Sequence, residues 1–505
     1  MQRLRALRRA DSLRAGTGLG AAGDEGGERE GGERATGDSR RPAPIAPTTR
    51  GSLEPATPNR PIDVILYDYS HGVGFFQAPA PIPAPTPPTH RHRRHTVHRL
   101  AHNVPVNDPT DPANDPVLAF AALLTPEGRA LLDEVRGTDP AKELAVATRL
   151  RRDHPADLVS AALGQARLRQ RAAAAKFTPE DADRMFFTPN GFEQSTRASV
   201  ATYRAARLLD LGVTSVADLC CGIGGDAIAL ARAGVRVLAV DRDPLTVAVA
   251  RANAEALGLA DLIDVHEADV TDVDTSAYDA VFVDPARRGG RGRIFDPEAY
   301  SPPLSWAVGA ATTAPIAALK IAPGVPHEAI PAAAEAEWIS DGGDVKEAVL
   351  WFGAGVRAGA VRATLLPGPR VLHGRGLPDP EVRSVGRYLY EPDGAVIRAH
   401  LVAEVAEEVG GGLIDETIAY VTADELRPTA YASAYEITDQ LPFGVKKLKA
   451  LLRERGVGVL TVKKRGSAVE PEELRRKVKP QGPNSATVFL TRVAGAPTML
   501  IGRPV

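Results

Sequence analysis

The sequence predicts an α/β protein: an open, parallel sheet, preceded by a helical domain and followed by a small basic α/β module. Three observations predict it. Between residues 214 and 366, short apolar runs at 216–219, 235–240, 262–266, 280–283, 317–321 and 348–352 alternate with helical stretches. That is the texture of strands covered on both faces by crossover helices. From 117 to 209 the pattern is helical throughout. Residues 441–505 carry 14 Lys and Arg against four Glu, in a chain whose net charge is only −2. Charge asymmetry of this kind points to a nucleic-acid face on one module.

In chain order, residues 1–116 read as a disordered extension rich in Pro, Arg and Gly. They hold 16 of the 42 prolines, and their opening stretch has no apolar period. Such a segment cannot bury enough surface to offset the entropy of ordering. The basic cluster His90, Arg91, His92, Arg93, Arg94, His95, His98, Arg99 and His102 has no carboxylate or cysteine ligand at regular spacing; it reads as a solvated linker, with a metal or phosphate role as the alternative. Within the helical domain, 117–209, Thr125-Pro-Glu and Thr178-Pro-Glu each place Thr at an N-cap and Pro at the first helical position. Segments 140–150 and 156–175 give two further amphipathic helices. The sheet domain is expected over 210–430, with 370–430 lacking a clear pattern. The basic module, 431–505, reads helix 445–455, strand 458–463, helix 471–478, strand 486–492 and strand 498–502.

The composition sets limits. The apolar fraction is 44% and the charged fraction 25%, as in soluble globular chains. The longest uninterrupted apolar run, 117–124, has eight residues, against about 20 needed to cross a bilayer. No membrane span is expected. The basic start is not followed by an apolar h-region, so no secretory leader is expected. The two cysteines, Cys220 and Cys221, are adjacent. A disulfide framework and a four-cysteine zinc site are both excluded, no metal is expected, and the implied location is a reducing cytoplasm.

The motif that carries chemistry is Val216-Ala-Asp-Leu-Cys-Cys-Gly-Ile-Gly-Gly-Asp226. It reads as a strand, a glycine turn and a helix start. Gly222, Gly224 and Gly225 let backbone approach a ligand without a Cβ clash, and the free N–H groups suit a carboxylate. Dinucleotide-binding sheets share such turns. Three further segments narrow the reading. Asp241 ends the next strand, 19 residues after Gly222, where an acid accepts bonds from ribose hydroxyls. Asp269 follows the third strand. Val281-Phe-Val-Asp-Pro-Ala-Arg287 puts Asp284 and Pro285 at a strand's C-terminal end, where ligands of open α/β sheets sit.

These four segments, in this order, resemble a class I S-adenosylmethionine-dependent methyltransferase with its Rossmann-like sheet. A nicotinamide-dinucleotide domain has no reason for the Asp-Pro-Ala-Arg element. The resemblance implies S-adenosyl-L-methionine as cofactor. It implies that Asp218, Gly222 and Gly224 face the methionine end, Asp241 the ribose and Asp269 the adenine. It gives Asp284, Pro285 and Arg287 the catalytic pocket. More narrowly, Phe187-Thr-Pro-Asn-Gly-Phe-Glu-Gln-Ser-Thr196, Asp284-Pro-Ala-Arg-Arg288, Gly292-Arg293, Phe295-Asp-Pro297 and Lys463-Lys-Arg-Gly466 resemble a bacterial methyltransferase group with a C-terminal THUMP-like domain. That resemblance covers about 117–505 and implies tRNA or rRNA as partner.

Amino-group methyltransferases acting on bases show Asp or Asn, Pro, Pro and an aromatic. Positions three and four here are Ala286 and Arg287. Asp-Pro-Ala-Arg also resembles uracil C5 methyltransferases, which need a downstream cysteine nucleophile. No cysteine follows Cys221, so a base nitrogen is the expected target. Cys220 and Cys221 read as small residues packed at the turn. Arg288, Arg291 and Arg293 form a basic loop beside the pocket and read as phosphate contacts. Lys463, Lys464 and Arg465 read as RNA-binding. Glu193, Gln194 and Thr196 either close over the cofactor or cap a helix. Trp351 and Phe352 read as core. Two other functions stay open: methylation of a protein or small molecule, and RNA binding without catalysis.

Overall fold

The computed structural model describes residues 115–286, 288–289, 292–293 and 297–505. The expected disordered extension lies outside the described residues, apart from its last two.

Nine helices or strands lead into the site: α1 (Pro116–Leu124), α2 (Pro126–Glu134), α3 (Glu143–Leu150), α4 (Ala156–Ala175), α5 (Pro179–Arg184), α6 (Pro189–Gln194), α7 (Ala198–Asp210), β1 (Ser215–Leu219) and α8 (Gly225–Arg232). Four of the helix starts follow one local rule. Asp115, Thr125, Thr178 and Thr188 each sit at an N-cap, accept a backbone N–H, and precede a proline. The cap satisfies a free donor and proline presets φ for the first turn.

The chain continues through β2 (Arg236–Asp241), α9 (Pro244–Leu257), β3 (Ile263–Glu267), β4 (Ala280–Val283), the two-residue pair β5 (Arg288–Gly289) and β6 (Gly292–Arg293), α10 (Leu304–Thr313) and β7 (Ile316–Ile321). Then come β8 (Glu335–Asp341), β9 (Asp344–Gly353), β10 (Val361–Leu366) and β11 (Arg370–His373). These strands, without β5 and β6, form one nine-stranded sheet in the order β11-β10-β8-β9-β7-β4-β1-β2-β3. Strands β3, β2, β1, β4 and β7 are mutually parallel. The expected parallel sheet is therefore only half the story, because β9 enters antiparallel between β7 and β8. A tight turn at Gly342 and Gly343, both left-handed, joins β8 to β9 as a hairpin, which forces the reversal.

Alternate residues of the central strands feed two cores. Val216, Ala239, Phe282 and Ala318 join the cluster under α1–α9. Ala217, Val240, Val281 and Leu319 join the cluster under α10. That two-sided burial is why these strands read as continuous apolar runs. Trp351 and Phe352 are buried, as expected.

The remaining elements are β12 (Tyr388–Pro392), α11 (Gly394–Arg398), α12 (Val402–Val409), β13 (Gly412–Asp415), β14 (Ile418–Ala423), β15 (Ala432–Pro442), α13 (Val445–Glu454), β16 (Val457–Lys464), α14 (Pro471–Val478), β17 (Asn484–Val493) and β18 (Ala496–Pro504). They build a seven-stranded sheet, β13-β14-β12-β15-β18-β17-β16. The boundary expected at 430 falls inside this sheet. Leu389 and Tyr390 of β12 pair with Tyr435 and Ala434 of β15. Segment 388–423 thus completes the C-terminal sheet and not the first one. Among the described residues no helix is long and apolar enough to cross a membrane.

Candidate active site

Strand β1 has its neighbours β2 and β4 on opposite sides, and the chain leaves it in both directions. This is the switch point at which open α/β sheets bind ligands. The turn after β1 runs from Cys220 to Gly224. Gly222 and Gly224 both take left-handed conformations, with φ of 57° and 85°, which disfavour side chains. The turn is tied to β2 by two bonds. The Cys221 N–H donates to the Val240 carbonyl at 2.9 Å, and the Gly222 N–H donates to Asp241 Oδ2 at 3.0 Å. Asp241 Oδ1 accepts from the Asp243 N–H at 3.0 Å. Burial pushes the Asp241 carboxyl above the usual carboxylate range, against these N–H donors, which pull it back.

Helix α6 lies directly on the turn. A Cβ on Gly191 would come within 2.3 Å of Ile223 Cγ2, so the Phe187–Thr196 motif needs glycine there. The Asn253 amide of α9 clamps the same region. It accepts from the Phe186 N–H at 2.7 Å and donates to the carbonyls of Phe186 and Ile223.

Beneath the turn lies a buried cluster of charges. Asp218 is 1% exposed, and neither of its oxygens has a hydrogen-bond partner among the described residues. Burial raises its pKa well above the usual range. Arg204 of α7 is equally buried and bonds both Asp226 and Glu347. Lys320 of β7 donates to Asp284 Oδ2 at 2.6 Å and to Thr196 Oγ1 at 2.8 Å. Its Nζ lies 3.9 Å from Glu347. Burial works against the Lys320 charge, but Asp284 and Glu347 outweigh it and raise the pKa.

The structure brings Asp218, Gly222, Gly224, Asp241 and Asp284 together around this switch point. Asp284 follows β4, its N–H bonded to the Leu219 carbonyl at 3.1 Å. Pro285 is buried beside it. Asp269 is exposed and caps a short turn, accepting from Thr271 N–H and Oγ1, which hold its pKa low. Arg287 and Arg291 lie outside the described residues. Arg288 and Arg293 are register partners in the backbone ladder of β5 and β6. Thr196 is buried on Lys320, Glu193 pairs with Arg171 at 2.6 Å, and Gln194 is exposed.

Lys463 and Arg465 are not free. Both pair with Glu391 of β12, and Lys464 donates to Glu470 at 2.5 Å. Lys320, Arg204 and Glu347 escaped the sequence reading. Lys320 and Glu347 sit in strands that otherwise read as apolar or β-forming, and a lone charge inside such a run was the available signal.

A cleft of about 1650 Å³ opens between the two sheets. Tyr300, Ile321 and Pro323 line it from the first sheet, and Glu391, Lys463 and Arg465 from the second. Asp284 is outside its lining, but Ser301 bonds the Ala286 backbone in both directions, at 2.8 and 3.1 Å, so the Asp284 segment and the cleft wall are continuous.

Residues 216–286 match the methyltransferase domain family, 432–504 the THUMP domain-like family, and 116–172 a domain family of unknown function. An uncharacterized S-adenosylmethionine-dependent methyltransferase of Mycobacterium tuberculosis H37Rv is 35% identical over 315 residues, which span 61% of this chain and 84% of the relative. The chain belongs to the S-adenosylmethionine-dependent methyltransferases. In fold, this methyltransferase is similar to a crystal structure from Porphyromonas gingivalis W83 described as a methyltransferase. The TM-score is 0.59 at 22% identity, covering 73% of this chain and 99% of that one. The methyltransferase also shares 35% identity over 120 residues with the 23S rRNA (uracil(1939)-C(5))-methyltransferase of Edwardsiella ictaluri, covering 22% of this chain and 27% of that one.

Proposed function

We propose that this methyltransferase modifies RNA, tRNA or rRNA, at a base nitrogen presented to Asp284. The observation that carries the reading is the pairing of that strand-end carboxylate with a basic cleft. Among the cleft's described lining, seven side chains are basic and three acidic; Lys346, Lys463, Lys464 and Arg465 pair with Asp344, Glu391 and Glu470, and the net balance stays positive, which suits a polyanion. The THUMP domain-like match over 432–504 and the rRNA-modifying relative support an RNA acceptor.

The residues present fit S-adenosylmethionine. Gly222 and Gly224 keep the turn open, with no atom within 4 Å of a Cβ built on Gly222. The unpartnered Asp218 carboxyl, two residues before the turn, has hydrogen-bonding capacity left for the methionine end. Asp241 retains acceptor lone pairs for ribose hydroxyls, and exposed Asp269 stands at the adenine end. Bound cofactor supplies an electrophilic sulfonium methyl. Asp284 accepts a hydrogen bond from the acceptor N–H, orients its lone pair and takes its proton. Buried Pro285 stiffens that strand end. Arg287, Arg288, Arg291 and Arg293 contact phosphate.

A carbon target at uracil C5 requires a thiolate to add at C6 first. The only thiols are Cys220 and Cys221. Both sit in the turn itself, and burial pushes both pKa values up, away from thiolate. A nitrogen, which carries its own lone pair, needs no such nucleophile.

The test uses methyl-labelled S-adenosylmethionine, the full chain and total RNA from cells lacking the protein. Nuclease-sensitive label is expected, and Asp284→Asn is expected to bind cofactor with near-normal affinity while transferring methyl at least 100-fold more slowly. Label in protein or small molecules, with none in RNA, would replace the RNA reading. A fully active Asp284→Asn would remove Asp284 from the mechanism.

A further inference from the structure

We propose that Lys320 is the positioning residue of the methyl-transfer site: its ammonium holds the Asp284 carboxylate in the acceptor orientation and locks Thr196 of the N-terminal segment against the same pocket. The inference rests on the reading of Asp284 as the group that receives the acceptor N–H.

Lys320 occupies the next-to-last position of β7 and is 5% exposed. A lysine is seldom so buried unless paired, because removing an ammonium from water is costly. Here all its visible partners lie at the site. Asp284 Oδ2 is at 2.6 Å and Thr196 Oγ1 at 2.8 Å. An ammonium has three donors, and Glu347 Oε2 at 3.9 Å provides the remaining electrostatic contact. Asp284 itself keeps 23% of its side chain exposed. One of its oxygens is therefore fixed by Lys320 while part of the carboxylate stays exposed.

The two ends of this bridge come from distant parts of the chain. Thr196 belongs to the loop between α6 and α7. That loop is held from the other side by Lys176 Nζ, which donates to the carbonyls of Phe192, Glu193 and Ser195 at 2.7–2.8 Å. The Thr196 carbonyl also lies 3.8 Å from where a Cβ on Gly225 would stand, against the start of α8. Lys320 thus couples the catalytic strand end to the segment that abuts the cofactor turn. A carboxylate whose orientation is preset loses no freedom when the acceptor arrives, which is how positioning lowers a barrier.

The surroundings define what removing the charge does. The carboxyls near Asp284 are Asp218 on β1, Asp226 on α8 and Glu347 on β9, and the other cation is Arg204 on α7. With Lys320→Met, Asp284 loses the donor that fixes its Oδ2, and four carboxyls face one guanidinium.

The experiment measures single-turnover methyl transfer to total RNA from cells lacking the protein, with cofactor affinity from calorimetry. Lys320→Met is expected to bind S-adenosylmethionine within threefold of wild type and to transfer methyl at least 100-fold more slowly. Lys320→Arg, which keeps the charge, is expected to restore at least tenfold of the rate. Thr196→Val, which removes one bond and no charge, is expected to slow transfer about fivefold. A wild-type rate for Lys320→Met, or a slow rate that Lys320→Arg does not restore, overturns the proposal. If Lys320→Met does not fold, Thr196→Val decides, and a wild-type rate in it overturns the proposal. Asp284→Asn serves as the control: if it is fully active, the reading of Asp284 fails before that of Lys320. Should wild type label protein and not RNA, the same variants are assayed on that acceptor, because the claim concerns Asp284 and not the acceptor's class.

Discussion

Asp241 shows how one side chain joins fold to ligand. Its two oxygens accept the N–H groups of Gly222 and Asp243, so it closes the glycine turn and marks the end of β2 at once. Ionised, it can accept two further bonds from vicinal hydroxyls; protonated, it turns one oxygen into a donor. Burial raises its pKa above the ordinary carboxylate value. The ionised form is therefore lost on acidification earlier than for an exposed Asp. Cofactor affinity is expected to fall as pH drops through that raised value, above the usual 3.8, and to be flat above it. Asp241→Ala is expected to weaken S-adenosylmethionine binding about 100-fold or more, since bonds to a charged acceptor are worth roughly 1.5–3 kcal/mol each. Calorimetry over a pH series that runs from neutral down into the ordinary carboxylate range checks both. Unchanged affinity in the variant would remove Asp241 from the cofactor site.

At the scale of elements, helix α13 and the end of β16 with Arg465 divide the basic charge of the C-terminal sheet differently. Lys463, Lys464 and Arg465 are committed to Glu391 and Glu470. On α13, Leu448 and Leu452 are buried against β16 while Lys446, Lys447, Lys449 and Arg453 are exposed, and none of these four has an ion-pair partner among the described residues. Exposed, unpaired cations release counterions on meeting phosphate. Replacing Lys446, Lys447 and Lys449 with Gln is expected to reduce the salt slope of RNA binding by about 2–3 units, measured by filter binding at several salt concentrations. Replacing Lys463 and Arg465 is expected to leave the slope nearly unchanged and to destabilise the sheet, because Glu391 loses its partners. A reversed pattern would make the triplet the contact after all. The sequence showed where the charge was, but not which charges were already paired, since Glu391 lies 72 residues from Lys463. The same limit explains β8. Its Glu335 and Glu337 suggested no strand, yet both are buried, held by Arg207 and Arg362. By contrast β1, β2, β4 and the glycine turn were legible, because strand, turn and helix start are written in contiguous residues and their two-sided burial needs no remote partner.

For the molecule as a whole, the position of α11 decides how the two sheets behave. Ala395, Val396 and Ala399 are buried in the same core as Trp338 and Leu350 of the first sheet, while β12, immediately before α11, pairs inside the second sheet. The core of that second sheet mixes Leu389 and Tyr420 with Tyr435, Phe489 and Leu500, residues from both sides of position 431. A chain cut at 431 would strip β12 of its β15 partner and expose an unpaired edge. It would also remove Phe489 and Leu500, each worth about 2–5 kcal/mol in a core, against a typical total of about 5–15 kcal/mol. Such a fragment is expected to aggregate or be degraded, so loss of RNA binding in it would say nothing about contacts. A cut before β12 would take α11 out of the first core as well. The two sheets should therefore unfold together. The three tryptophans, Trp306, Trp338 and Trp351, all belong to the first sheet or its covering helix, whereas far-ultraviolet circular dichroism sees both sheets. Denaturant midpoints from tryptophan fluorescence and from circular dichroism are expected to coincide in the full chain. A dichroism step that precedes any change in fluorescence would show the C-terminal sheet melting alone, and α11 would then be a tether between two independent units and not the joint of one.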